Sequence, residues 1–444
     1  MASVAAALKQ GGYRVSGSDA NTYPPMSTFL EEEGIPVAVG FRAENIPEGE
    51  VTVVVGNAIS RGNPELEAVL NRKLLYTSLP EVLKHCVLRG KRNLVVTGTH
   101  GKTTATSILA WLLESAGRNP SYLIGGLPNN FERGARFTDS EFTVLEGDEY
   151  DTAFFDKRSK FVHYLPEVVV VNNLEFDHAD IFENLDAIKL SFRRLLNIVP
   201  RNGRVFVNGD DAECLDVAAG CPAPVETVGT GAGCDRRITG VEFHPEVSAF
   251  ALDGERYSVA MPGEYNVRNA AMAVCVAGVA GLSADEIRAG LASFGGVARR
   301  MELKGETRGV RVVDDFGHHP TAIRQAVEAV RQRWPGGKVW AVFEPRSNTS
   351  RRNIFQDAFA GALGCADGAV VAAVANPEKV AEGERLDTVR LVAGIEALGK
   401  VAFTEAGVEA IVARLKPLVG AGDTVAVFSN GGFDGIHGKL LAGL

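Results

Sequence analysis

The sequence has no excess of positive charge. Its 46 Lys and Arg are set against 55 Asp and Glu, for a net charge of -9. Such a surface repels polyanions, so nucleic acid and anionic membrane are not expected partners, and an anionic substrate needs a basic pocket of its own. No apolar run reaches the roughly 18 residues of a membrane span, and the first residues carry no signal-peptide pattern. The six cysteines (Cys86, Cys214, Cys221, Cys234, Cys275 and Cys365) form no C-x-x-C pair and no Cys/His metal spacing. They read as reduced thiols, and the chain is expected to be cytoplasmic. A G-x-G-x-x-G turn is missing from the opening segment, which disfavours a dinucleotide-dependent oxidoreductase.

What the sequence does have is Leu94-Val95-Val96-Thr97-Gly98-Thr99-His100-Gly101-Lys102-Thr103-Thr104. An apolar strand runs into a Gly-containing turn. A segment with Ile108, Leu109, Leu112 and Leu113 on one helical face follows. Strand, loop and helix in that order present backbone N–H groups and the positive end of a helix to an anion. In such a loop Lys102 supplies charge to the β- and γ-phosphates, and the Thr103 hydroxyl sits on Mg²⁺. The full phosphate-loop pattern has an earlier Gly where this chain has Val96, leaving a shortened Gly98-x-x-Gly101-Lys102-Thr103. An ordinary Gly-rich turn with a solvated lysine uses the same residue types, so other groups must support the reading.

At 444 residues the chain should hold about three domains. Recurring strand–helix units predict an α/β protein. Residues 1–88 read as an N-terminal Rossmann-like domain: a helix over Met1–Gln10, strands over Tyr13–Gly17, Pro36–Val39 and Val51–Val55, and helices over Thr28–Glu33 and Glu65–Arg72. Asp19 follows the usual second strand, where an acidic side chain reaches a ribose hydroxyl. The first strand of that unit and its Gly-rich turn are not in the sequence. The expectation is a start at an internal Met, about a dozen residues into the unit.

Residues 89–297 read as a central P-loop ATPase domain with a parallel sheet. Strands over Phe142–Leu145 and Val168–Val171 release Glu146-Gly147-Asp148-Glu149 and Asn172-Asn173-Leu174-Glu175-Phe176-Asp177-His178 at their carboxyl ends, where open α/β sheets bind ligands. Glu146, Glu175, Asp177 and His178 could therefore converge on phosphates held by Lys102. With the Thr103 hydroxyl, they make a reasonable donor set for Mg²⁺. Residues 225–260 read as short antiparallel strands. Asn266 and Asn269 open a small-residue helix on one face, where amides read an adenine edge or ribose, or merely cap the helix. Residues 298–444 read as a C-terminal Rossmann-like domain with strands over Val310–Val313, Val339–Phe343, Ala369–Val374 and Thr424–Phe428. His318 and His319 have no partner at metal-ligand spacing; contact with nucleotide, or a turn hydrogen bond from His318, is expected instead.

Taken together, the phosphate loop, Glu146-x-Asp148-Glu149, Asp177-His178, Asn266-x-x-Asn269, Arg299-Arg300 and Asp315 resemble the Mur ligase family, over the whole chain and in its three-domain order. Longer runs are similar to the member that adds a tripeptide. They are Tyr150 to Phe161, Asn173 to Phe182, Glu344-Pro345-Arg346-Ser347-Asn348-Thr349 and Ser429 to His437.

The resemblance implies a reaction and its residues. ATP phosphorylates the lactyl carboxylate of UDP-N-acetylmuramate. The free amine of L-alanyl-γ-D-glutamyl-meso-diaminopimelate then attacks the acyl phosphate, leaving an amide, ADP and phosphate. It implies Lys102, Glu146 and His178 as catalytic. Gly98, Thr99, His100, Gly101, Lys102, Thr103, Thr104, Asn266, Asn269, Arg299, Arg300 and Asp315 would bind ATP. Two Mg²⁺ ions are implied, one on Thr103 and Glu146 and one on His178, with Glu175 and Asp177 in support. Ser18, Asp19, Asn57, Ser60 and Asn63 would face UDP, with Asn129 and Asn130 toward the muramyl end. Arg346, Arg351 and Asn430 would meet the peptide. Several relatives carry a carbamylated lysine after Asp-His; Lys189 is nearby, but its helix register does not match. The alternatives are a single-residue, L-alanine-adding ligase of the same family and a P-loop regulatory protein that binds ATP as a switch.

Overall fold

A computed structural model describes residues 1–22 and 26–444. It is an α/β protein with a central ten-stranded sheet, a six-stranded C-terminal sheet and smaller N-terminal pairs of strands. The central sheet runs, from one edge, Glu255–Val259, Ser248–Leu252, Arg236–Phe243, Val225–Gly229, Arg204–Asn208, Val168–Val171, Arg92–Thr97, Phe142–Glu146, Ser121–Leu123 and Ala135–Arg136. Arg92–Thr97 lies between Val168–Val171 and Phe142–Glu146, parallel to both. The expected parallel core therefore puts the three polar loops side by side.

Val168–Val171 is buried on both faces, which explains its unbroken apolar run. Each such valine contributes about 1.5–3 kcal/mol of burial. The helix Lys102–Ser115 covers one face and packs on the helix Glu264–Val279. The latter presents Ala270, Ala273 and Ala277, small residues that allow close approach. Residues 225–260 differ from expectation at their start. Val225–Gly229 pairs parallel with Arg204–Asn208, and antiparallel pairing begins only where Arg236–Phe243 meets Ser248–Leu252.

The C-terminal sheet has the order Glu302–Thr307, Val310–Asp315, Thr424–Phe428, Val339–Phe343, Gly368–Ala372 and Val401–Glu405. Its last five strands in that order are parallel, and Glu302–Thr307 is an antiparallel edge. Helices cover both faces around two apolar clusters.

In the N-terminal region the helix Ala2–Gln10 opens the chain. Gly17–Asp19 pairs parallel with Val37–Val39, and Thr52–Val55 pairs parallel with Leu75–Ser78. No strand joins the two pairs among the described residues. The strand expected over Tyr13–Gly17 begins instead at Gly17. Thr52–Val55 is also less buried than its apolar run suggests: only Val55 is fully covered, because a two-stranded pair leaves the strand partly open.

Candidate active site

The phosphate loop takes the geometry its glycines permit. Gly98 has φ +136° and Gly101 φ +76°, the left-handed region that favours glycine. At Gly101 the neighbours add a second demand. A Cβ there would lie 2.4 Å from Asn269 Oδ1 and 2.8 Å from Asn172 Nδ2. Both asparagines are buried, and Asn172 Nδ2 donates to Asn269 Oδ1 at 2.7 Å. Asn269 Nδ2 in turn faces Asn266 Oδ1 at 3.3 Å, and Asn266 Nδ2 donates to the Pro262 carbonyl at 2.7 Å. Asn266 and Asn269 do share a helix face, and both line the cleft. Their amide groups are engaged with protein in this structure and form a wall against the phosphate loop.

Thr103 Oγ1 donates to Glu146 Oε1 at 2.9 Å, and Glu146 Oε2 accepts from the Gly125 backbone N–H at 2.7 Å. Burial pushes the Glu146 carboxyl above the usual range, against the pull of the Gly125 N–H and of Lys102. A hydroxyl and a carboxylate held together beside a loop that leads into a helix N-terminus fit a hard divalent cation and the phosphates it would bridge.

Lys102 begins the helix. Its Nζ donates to the Gly98 carbonyl at 2.7 Å and the Thr99 carbonyl at 3.2 Å, and lies 2.9 Å from Glu149 Oε1. The same Glu149 oxygen lies 2.9 Å from His178 Nε2. Burial alone would push Glu149 up, but Lys102 and His178 overcome it and hold the carboxyl at about 2. In return, Glu149 raises both Lys102 and His178 against the opposing effect of their own burial. The sequence reading gave Glu149 no role. Glu146, Asp148 and Glu149 are equivalent on paper, and only the turn decides which one reaches the lysine.

The Asp177-His178 loop is strained and braced. His178 has φ +54°, and its backbone N–H donates to Asp177 Oδ1 at 2.7 Å. Its ring lies 4.3 Å from that of Tyr150. Asp177 is buried, which raises a carboxyl, yet His318 and His178 hold it well below its usual range. His318 Nδ1 also faces its own turn at the Phe316 carbonyl, as expected. Glu175 bonds across two domains: to His100 Nε2 at 2.9 Å and to Thr321 Oγ1 at 3.0 Å. The donor atoms of His100, Glu175 and His319 lie within 4.8 Å of one another, a proximity that sequence spacing could not show. Both His319 nitrogens are engaged, with the Phe176 carbonyl at 3.2 Å and the Thr321 N–H at 3.3 Å, so the group is an interdomain clasp.

Arg299 and Arg300 part company. Arg300 Nη2 reaches Thr103 Oγ1 at 3.3 Å across the domain boundary, with its guanidinium over the Phe316 ring. Arg299 lines the cleft, but its guanidinium is tied to Asp314 at 3.1 Å and to the Ser429 carbonyl at 2.7 Å. These bonds brace the C-terminal domain, and the Arg299 guanidinium, like that of Arg300, lies over the Phe316 ring at 5.1 Å. Asp315 lines the same cleft while accepting the Met301 and Gly317 backbone N–H groups at 2.9 and 2.7 Å.

The cleft has a volume of about 1140 Å³. It brings together Thr99, His100, Gly101, Lys102, Thr103, Thr104, Glu146, Glu175, Asp177, His178, Asn266, Asn269, Arg299, Arg300 and Asp315. A smaller pocket of about 320 Å³ shares Tyr150, Asp177, His178, Phe316 and His318 with it and adds Arg346, Arg351 and Asn430. Arg351 Nε and Asn430 Oδ1 are buried without hydrogen-bond partners. Burial and the neighbouring Arg346 both push the Arg351 guanidinium below its usual value. These unspent groups fit an anionic ligand with further polar atoms.

The UDP-facing residues are not brought to this cleft. Ser18 bonds Glu65, Asp19 accepts from the Asn21 N–H at 3.2 Å, and Asn63 caps the helix Pro64–Asn71. Asn57 and Ser60 sit in the loop before that helix. Asn129 and Asn130 also differ from expectation. Their side chains bond Gly295 and Ser293, pinning the loop after Ser121–Leu123 to the segment that leads into the C-terminal domain. Lys189 points elsewhere, pairing with Glu213 and Asp216, in keeping with its mismatched register.

Comparison with known proteins places this geometry. Three family profiles match in sequence order: "Mur ligase family, catalytic domain" over residues 1–90, "Mur ligase middle domain" over 96–277 and "Mur ligase, glutamate ligase domain" over 299–431. UDP-N-acetylmuramate–L-alanyl-γ-D-glutamyl-meso-2,6-diaminoheptandioate ligase of Escherichia coli K12 is 43% identical over 451 aligned positions, covering 100% of this chain and 96% of that protein. UDP-N-acetylmuramate–L-alanine ligase of Rhizobium etli is 35% identical, covering 90% and 84%. The crystal structure of a murein peptide ligase from Psychrobacter arcticus 273-4 superposes with a TM-score of 0.72 at 32% identity, covering 99% of this chain and 95% of that one. With identity of this degree along nearly the full length of both chains, and the profiles falling in their proper order, the chain belongs to the Mur ligase family.

Proposed function

We propose that the protein is an ATP-dependent amide ligase that joins L-alanyl-γ-D-glutamyl-meso-diaminopimelate to UDP-N-acetylmuramate through an acyl phosphate, in recycling of cell-wall peptide. The single observation that carries this is the junction of the two pockets at His178. The large cleft offers a phosphate loop, and the small one offers Arg346 and Arg351. A phosphorylated carboxylate formed beside Lys102 would meet an amine delivered from the arginine side.

In this reading residues 1–88 bind the UDP-sugar, 89–297 bind ATP and 298–444 bind the peptide and close on ATP. The difficulty of the reaction is bringing a carboxylate to a polyphosphate. Lys102 neutralises the transferring phosphoryl group and Arg300 closes over it from the C-terminal domain. Thr103 and Glu146 would hold one Mg²⁺, and His178 a second, with Glu175 and Asp177 fixing that loop. Bound there, Mg²⁺ would supply positive charge that offsets the repulsion between phosphate and carboxylate. Arg351, Arg346 and Asn430 would take the peptide's carboxylates and turn its amine toward His178. Asn129 and Asn130 would act on the muramyl end indirectly, by setting their loop. The ATP and UDP-linked substrates suit a cytoplasmic enzyme, and no described helix is long and apolar enough to cross a membrane.

The test is phosphate release with ATP, Mg²⁺ and UDP-N-acetylmuramate, adding tripeptide or L-alanine. Release and amide product should depend on tripeptide. Stimulation by L-alanine instead would assign the chain to the single-residue ligases, and no amide with either would leave an ATP-binding switch.

A further inference from the structure

The loop that carries His178 and the loop that carries Arg351 follow strands of different sheets, and side chains with no part in the reaction above join them. Residues 344–352 follow the strand Val339–Phe343 and bring Arg346 and Arg351 into the smaller pocket. Residues 172–184 follow Val168–Val171 and bring His178 to the same place. Asn348 Nδ2 donates to Asp180 Oδ2 at 2.7 Å, and the Ala179 backbone N–H donates to Thr349 Oγ1 at 3.3 Å. The connection extends at both ends. Asn348 Oδ1 lies 3.5 Å from Arg351 Nη1. Asp180 Oδ1 lies 3.5 Å from the Tyr150 hydroxyl, and the Tyr150 ring stands 4.3 Å from that of His178. The Arg351 guanidinium, whose Nε is buried without a partner, is thus linked through an amide and a carboxylate to the phenol that backs the imidazole.

We propose that Asn348 and Asp180 are positioning residues that make the seating of a carboxylate on Arg351 and the placement of the His178 loop one event. This rests on reading Arg351 as a ligand of the peptide. The chemistry gives each group its task. The Asn348 amide has a donor for Asp180 and an acceptor for Arg351, so it serves both at once. Asp180 has two oxygens, one turned to Asn348 and one to Tyr150. The two contacts of 3.5 Å have room to shorten, as positioning contacts do when substrate arrives. Asp180 and Asn348 are both exposed, so neither supports a core. A surface bond of this kind adds little to folding, whereas misalignment of an amine and an acyl group lowers the rate directly.

The test is a double-mutant cycle on the full chain: wild type, Asp180→Ala, Asn348→Ala and the pair. Each is assayed for amide formation from ATP, UDP-N-acetylmuramate and tripeptide. Either single variant should lower kcat/KM for tripeptide about five- to tenfold. KM for ATP and for UDP-N-acetylmuramate should stay unchanged, and urea unfolding should keep the wild-type midpoint. The pair should lose no more than either single variant, because both break the same link. Wild-type turnover in both single variants overturns the proposal. So does a rise in KM for all three substrates alike, or losses that multiply in the pair. The wild-type assay separates this from the reading beneath it. If L-alanine is used instead of tripeptide, the tripeptide reading fails, and the same cycle run with L-alanine still decides the link. If neither forms an amide, both fail.

Discussion

Gly101→Ala tests whether the asparagine wall sets the phosphate loop. The residue has φ +76°, where a side chain costs about 1–2 kcal/mol. Its new Cβ would stand 2.4 Å from Asn269 Oδ1 and 2.8 Å from Asn172 Nδ2. Both neighbours are buried and bonded to each other, so neither can swing away without losing a hydrogen bond. Overpacking of this kind costs about 1–3 kcal/mol. The two effects together predict about 2–5 kcal/mol. The cost should appear partly as lower stability to urea and partly as ATP affinity reduced by at least about tenfold, since 1.4 kcal/mol is one decade. Asn269→Ala in the same chain removes the nearer clash but leaves the backbone strain and the contact with Asn172 Nδ2. A double-mutant cycle should therefore return favourable coupling of at least about 0.5 kcal/mol, and less than the full overpacking cost of about 1–3 kcal/mol. Urea unfolding and calorimetric ATP titration of the four proteins measure both quantities. If Gly101→Ala stays within about 0.5 kcal/mol of wild type and binds ATP equally well, the loop is not set as described. If the cycle shows no coupling, Asn269 is not the obstacle.

Arg299→Ala and Arg300→Ala should separate cleanly. The first loses two charge-assisted hydrogen bonds, to Asp314 and Ser429, besides its own contact with the Phe316 ring, and should cost about 2–4 kcal/mol in denaturant unfolding. The second loses a long contact to Thr103 and a stack on Phe316; it should cost under about 1 kcal/mol of stability but raise KM for ATP and lower kcat. Acid stability carries the mark of Glu149. Its folded-state carboxyl, at about 2, lies below its usual value, so the unfolded chain binds more protons there. The contribution, on the order of 3 kcal/mol, is present above about pH 4.5 and is lost as pH falls toward 2. Asp177 adds to the same limb, whereas Glu146 and Asp315, raised by burial, oppose it and become less unfavourable as they protonate. Glu149→Gln should flatten the dependence of unfolding free energy on pH between about 4.5 and 2. An unchanged slope would show that Lys102 and His178 do not hold this carboxylate.

What could be read from the sequence was local. The phosphate loop announces itself because strand, glycines, lysine and helix are contiguous. Val168–Val171 and Val339–Phe343 announce themselves because strands buried on both faces carry unbroken apolar runs. Leu75–Ser78 and Val401–Glu405 gave no such signal. They lie at the margins of their sheets and are partly exposed, so their side chains follow no single rule. The antiparallel edge Glu302–Thr307 was hidden for the same reason. Within the site, motifs gave the residue types but not their pairing. Arg299 and Arg300 are adjacent and chemically identical, yet one faces Asp314 and the other Thr103, because Arg299 has φ +61° and turns the chain between them. Asn129 and Asn130 looked like ligand amides because nothing in the sequence shows that residues 293–295 fold back onto them. Glu149 is the sharpest case. Its partners are 47 residues upstream and 29 residues downstream, so its place between Lys102 and His178 exists only once the parallel order of three strands has been laid down. A site built at the carboxyl ends of neighbouring strands conceals the contacts that matter most to its charge balance, because those contacts run across strands rather than along the chain.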